Sequence, residues 1–179
     1  MTGGGFRAMK FTKSAMAALM MVIITGSGLA ATKTDVVTLT INVTFTQPSC
    51  DIQVPSSYDL GGLPPGSKTH APLDITWTCK GDTPVKTALT AGIVSGGKTG
   101  GDEKVILQTD GGTDTGATLS LREKVSKKLI KLTGPAVGDY FCSDVGVRRT
   151  CNLIPETNVS PGGPFGPASA TLRFEVGYP

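Results

Sequence analysis

The 179-residue chain has the length of one domain with an appended segment. Only 17% of its residues are charged and 6% are aromatic, and the formal net charge is +3, so nothing in the composition recommends nucleic acid as a partner. Its 24 glycines and 12 prolines punctuate apolar runs and form no low-complexity tract, the pattern of an all-β domain with many turns.

The first segment reads as a secretory leader. Arg7, Lys10 and Lys13, with no acid among them, precede the apolar run Ala15–Ile24, and the small residues of "TGSGLA" follow. The run is about half of the roughly 20 residues needed to span a bilayer. Gly28 and Ala30 place cleavage after Ala30, with Ala31 the next choice. Met9 opens "MKFTKSAMAA", a more usual start than Met1. Without the leader's three basic residues, the 17 basic and 14 acidic residues of the chain come into balance. The protein is therefore expected to be exported.

The next element, Val36–Thr46, alternates strictly. Val37, Leu39, Ile41, Val43 and Phe45 fall on one face, and Thr38, Thr40, Asn42, Thr44 and Thr46 on the other. Threonine favours extended backbone and is polar, so one side of this strand is built for water. Further strands are expected at Cys50–Val54, Leu73–Cys79, Thr87–Val94, Lys104–Gln108, Ala117–Leu121, Leu129–Leu132, Val145–Pro155 and Ala168–Val176. Turn signals such as "GGLPPG", "KGDTP", "DGGTDTG" and "SPGGPFGP" separate them. Short strands at this spacing favour a β-sandwich.

One motif needs weighing. "GIVSGGKT", Gly92–Thr99, fits the phosphate-loop pattern, which works only when a helix N-terminus follows. Here "GGDEKVILQ" follows, so the stretch reads as a glycine-rich hairpin turn. His70 is the only histidine and reads as a loop residue, and Trp77 reads as core. The basic run "REKVSKKLIK", residues 122–131, reads as a solvated strand face or hairpin tip rather than a polyanion site. Sequons occur at Asn42 and Asn158, the first a by-product of alternation. No nucleophile, paired acids or cofactor motif can be named, so neither an enzyme nor a cofactor is expected.

Four cysteines in an exported chain read as two disulfides, with three pairings open. Cys50 and Cys79 each adjoin an apolar strand, and Cys142 and Cys151 are close in sequence, which favours Cys50–Cys79 and Cys142–Cys151. A zinc site is disfavoured, because there is no CxxC pair and one histidine.

The chain closes on "ATLRFEVGYP", whose apolar side chains are Ala170, Leu172, Phe174, Val176 and Tyr178. Long apolar-faced strands thus stand at both ends of the mature sequence. With the alternating arm leading into "TQPSC", the second cysteine closing "ITWTC", the mid-chain "GATLSLREKVSKKLIKLTG", Gly166 fourteenth from the end and Tyr178 next to last, the chain resembles subunits of chaperone–usher pili, the type 1 and P pilus family. The resemblance covers residues from about 35 to 179.

That resemblance implies an immunoglobulin-like β-sandwich lacking its last strand. It divides the chain into a leader (1–30), a donor-strand extension (31–45) and a pilin domain (46–179). Val37, Leu39, Ile41, Val43 and Phe45 would be donated to a neighbour, and Gly166, Ala170, Leu172, Phe174, Val176, Tyr178 and Pro179 would form the strand first paired by a chaperone. The implied partners are a periplasmic chaperone, an outer-membrane usher, neighbouring subunits and, for an adhesive subunit, a host receptor. The implied location is the periplasm, then the cell-surface fimbrium. Two features depart from the family: Val43 stands where many arms carry glycine, which calls for a roomier partner pocket, and Cys142 and Cys151 add a second bridge. The competing reading is a self-contained secreted sandwich that binds a carbohydrate or host protein.

Overall fold

The computed structural model describes residues 49–179, so the leader and the alternating arm lie outside the described residues. Among the described residues, ten strands form two antiparallel sheets. They are β1 (Cys50–Gln53), β2 (Gly66–Thr69), β3 (Leu73–Cys79), β4 (Val85–Ser95), β5 (Gly97–Lys98), β6 (Lys104–Gln108), β7 (Asp114–Glu123), β8 (Phe141–Gly146), β9 (Arg148–Val159) and β10 (Thr171–Gly177). The larger sheet runs β1-β3-β9-β7-β6-β5, with β2 also on β9, and the smaller runs β10-β4-β8.

Alternation decides which side chains go inside. In β3, Leu73, Ile75, Trp77 and Cys79 are buried, while Asp74 and Thr78 point outward. Cys151 and Leu153 of β9, Val105 of β6 and Leu121 of β7 meet Leu89 and Ala91 of β4 and Phe141 of β8 in one core. Pro155 sits buried inside β9 and has no N–H to give. Opposite it the edge breaks between β2 and β3, and the His70 amide bonds the Pro155 carbonyl at 2.9 Å.

Three fastenings join the sheets. The Trp77 indole N–H donates to Thr87 Oγ1 at 2.8 Å, inside the core. The Arg149 guanidinium lies 5.1 Å from the Trp77 ring centroid and donates to the carbonyls of Thr87 (3.3 Å) and Cys142 (3.0 Å). The Cys142–Cys151 disulfide links β8 to β9. The second disulfide, Cys50–Cys79, lies within the larger sheet, where these residues are direct partners.

Several sequence expectations are corrected. Leu129–Leu132 is not a strand. It crosses between sheets, with Ile130 N bonded to Leu121 O at 2.9 Å and Gly134 N to Ala91 O at 2.8 Å, so no neighbour pairs with it continuously. Val145–Pro155 is two strands, because the chain leaves the smaller sheet at Gly146 and enters the larger at Arg148. The "GIVSGGKT" stretch is no hairpin turn. It carries β4 of the smaller sheet into β5 of the larger, bending at Gly96, where φ is +137° and a Cβ would stand 2.4 Å from Val105 Cγ2. β2 begins at Gly66, the last residue of the "GGLPPG" turn signal, and has no counterpart among the expected strands. The basic run does form a hairpin tip, with Lys127 at φ 61°.

Two outcomes follow. Thr87→Val leaves the Trp77 N–H unpaired in the core and should cost about 1–3 kcal/mol in denaturant unfolding. On the outer face, the Arg122 guanidinium grips the Glu156 carboxylate at 2.6 and 3.0 Å and holds its pKa below the usual value. Because the folded pKa is depressed, the pair's contribution is complete above the ordinary value of about 4.5 and is lost as pH falls through the folded pKa. The stability gap between wild type and Arg122→Gln, measured by unfolding from pH 7 down to pH 2, should close across that acid window. A gap that stays constant to pH 2 would contradict this.

Candidate strand-accepting groove

β10 is the element on which the site depends. It pairs along β4 from Leu172↔Ile93 to Gly177↔Ala88, with an irregularity after Thr171. Among the described residues its other edge has no partner strand. Leu172, Phe174 and Val176 face the core yet are only half-buried, whereas Thr171 and Arg173 are exposed. A completed sandwich would bury such a row, as it buries the matching rows of β3 and β9.

The surface that the described residues leave open here is a groove of about 580 Å³. Leu107, Ala117, Leu119 and Leu121 from β6 and β7 line its floor with Leu172 and Phe174. The Val54–Leu63 loop forms one wall and the Ser160–Ala170 loop the other. Local bonds shape both walls. The Asp59 carboxylate accepts from the Gly61 amide at 2.8 Å, and the Tyr58 hydroxyl donates to Ala71 O at 2.6 Å. Ser160 N bonds Gly116 O at 2.9 Å, and Gln108 and Ser169 exchange two backbone bonds of 2.9 and 2.8 Å. Gly163 packs on Gly116 so closely that a Cβ would come within 2.5 Å of the Gly116 nitrogen.

The C-terminal end of β10 is anchored. The Tyr178 hydroxyl lies 3.1 Å from Cys50 Sγ, which joins β10 to the start of β1. Gly177 leaves room for the Tyr140 ring, whose nearest atom would be 2.5 Å from a Cβ there. The polar face of β10 carries Arg173 and Glu175, 3.8 Å apart. The groove thus has an apolar floor, and Asp59 in its wall is the one charged residue among those that line it. Such a trough can take one extended segment, binding it through main-chain bonds to a strand edge and through apolar side chains in the gap.

Of the residues singled out from sequence, Ala170, Leu172 and Phe174 line the groove, with Gly166 in its wall at φ +141°. Val176 and Tyr178 continue the strand half-buried, and Pro179 is exposed. Val37, Leu39, Ile41, Val43 and Phe45 lie outside the described residues. The four cysteines pair as favoured. Sequence reading missed the floor residues Leu107, Ala117, Leu119 and Leu121 as part of a site. Their alternation marks an inward face but not whether another strand covers it. His70, whose pKa is lowered by burial and then by Lys68, bonds Thr157 Oγ1 at 2.8 Å and lines no part of the groove.

No family model matches the chain, and no curated protein matches its sequence. Solved structures do match. A subunit in the structure of a chaperone–usher pilus, described for rod uncoiling, is 19% identical, with a TM-score of 0.50 over 81% of this chain and 96% of that one. The P pilus rod subunit PapA is 18% identical, with a TM-score of 0.54 over 73% of this chain and 99% of that one. At these identities the likeness speaks to fold. An all-β sandwich with an apolar-floored groove, open among the described residues beside its last strand and matched by these two structures, has the incomplete immunoglobulin-like fold of chaperone–usher pilus rod subunits.

Proposed function

We propose that the protein is a non-enzymatic structural subunit of a surface pilus, whose groove is filled from outside by the alternating N-terminal strand of another subunit. The carrying observation is the half-buried row Leu172, Phe174 and Val176 on an edge strand that, among the described residues, pairs on one side only. An open apolar edge left in solution is an aggregation hazard, so a transient partner must cover it after export. A periplasmic chaperone fills that role in this reading, and an outer-membrane usher directs the exchange for the next subunit's arm. The rod-subunit neighbours support placing the chain among fibre-forming subunits.

Energetics support strand exchange. Five apolar side chains, Val37 to Phe45, entering the groove at about 1.5–3 kcal/mol each gain on the order of 10 kcal/mol before ordering costs. From Val36 to Gln47 the arm carries no charge, so none would be desolvated.

Deleting residues 31–45 should leave a domain that is still captured by the chaperone but no longer joins fibres as donor, measured by co-purification and fibre yield. Fibres at normal yield would overturn the donor assignment. Unfolding of the deleted chain even with chaperone would instead favour a self-contained sandwich.

Charge on the two faces of β10 should act oppositely. Phe174→Asp places a carboxylate on the groove floor and should abolish periplasmic accumulation, since an unpaired buried charge costs several kcal/mol. Glu175→Lys alters only an exposed pair and should change accumulation little. Immunoblots of periplasmic extracts give the comparison, and equal losses from both would contradict the face assignment.

A further inference from the structure

Phe165 is 76% exposed, yet it lines the groove. The other strongly exposed apolar side chains, such as Val125 at 84% and Val137 at 64%, do not. The Ser160–Ala170 loop that carries Phe165 is tied down on both sides of it. Ser160 is bonded to Gly116, Gly163 is packed on Gly116, and Ser169 is bonded to Gln108. Between these ties, Pro164 and Pro167 restrict the backbone around Phe165 and Gly166. The backbone that carries Phe165 is therefore held beside the groove, with the ring largely in solvent at its lining. A large apolar side chain kept in water beside an apolar trough marks a contact surface.

We propose that Phe165 is a rim contact that packs over the strand seated in the groove, and that this strand is the Val37–Phe45 row of a second copy of the chain. The inference rests on the strand-accepting reading above. The occupant is argued from the sequence outside the described residues: the row offers five apolar side chains at the two-residue period of a groove-bound strand, and no charged residue lies between Val36 and Gln47. Each copy brings both a groove and a row, so the contact is heterologous and repeats along an open fibre. Phe165 would then slow the escape of a seated strand without contributing to the fold of the subunit that carries it.

The test uses the full chain with photoreactive p-benzoylphenylalanine in place of Phe165 or, as a groove-floor control, in place of Phe174, mixed with an isotope-labelled full chain. Crosslinks from position 165 into residues 35–46 of the labelled copy are expected. Crosslinks from 174 but not from 165 would overturn the rim contact and leave strand capture standing. Crosslinks from neither position would overturn both. Crosslinks confined to the chain's own arm would overturn the second copy as occupant. Independently, Phe165→Ser should speed dissociation of the assembled chain about tenfold, while Val125→Ser leaves it unchanged. A wild-type dissociation rate for Phe165→Ser would overturn the proposal.

Discussion

A strand inside a sheet satisfies its main chain from both sides, and β10 is held among the described residues from one, by β4. The rest of the architecture is arranged around that edge. The side chains of β10 that should complete the core stop half-buried, the two flanking loops stand apart as walls, and the floor beneath them is leucine and alanine. Cohesion at this edge is left to Tyr178, whose hydroxyl reaches Cys50, and to the fit of Gly177 against Tyr140.

The opposite side of the sandwich carries the compensation. Trp77 and Thr87 share a buried hydrogen bond across the sheets, Arg149 stacks on Trp77 while bonding two carbonyls of the smaller sheet's strands, and Cys142–Cys151 ties β8 to β9. A disulfide stabilises chiefly by limiting the unfolded chain, and the two here join cysteines with sequence separations of 29 and 9. They also differ in place: one pins adjacent strands of a sheet, the other pins the sheets together. Fastening one side firmly lets the other remain a groove without the sheets drifting apart. This gives the second bridge a mechanical role.

Much of this was legible in the sequence. The two-residue period of "LDITWTC" and "KVILQ" placed β3 and β6 at their observed bounds, because both strands bury one face and expose the other. The apolar row of "TLRFEVG" likewise marked β10. What escaped was whatever depends on the third dimension. Leu129–Leu132 has strand composition but bridges two sheets, and Val145–Pro155 has a continuous pattern interrupted at Val147 by a change of sheet. Gly96 signalled a turn, whereas the observed need is for backbone to pass close against Val105. The groove itself has no local signature. Leu119 and Leu121 alternate like any core strand, and only the order β10-β4-β8 exposes that the facing edge has no further strand among the described residues.

Amide hydrogen exchange along β10, compared between the unassembled full chain and its assembled form, tests the central claim most directly. In β10 the amides alternate between those bonded to β4 and those facing the groove. The account predicts that the groove-facing set exchanges freely before assembly and becomes protected after it, while the set bonded to β4 is protected in both. Equal protection of the groove-facing amides in the two forms would contradict it, because the edge would then need no strand from outside.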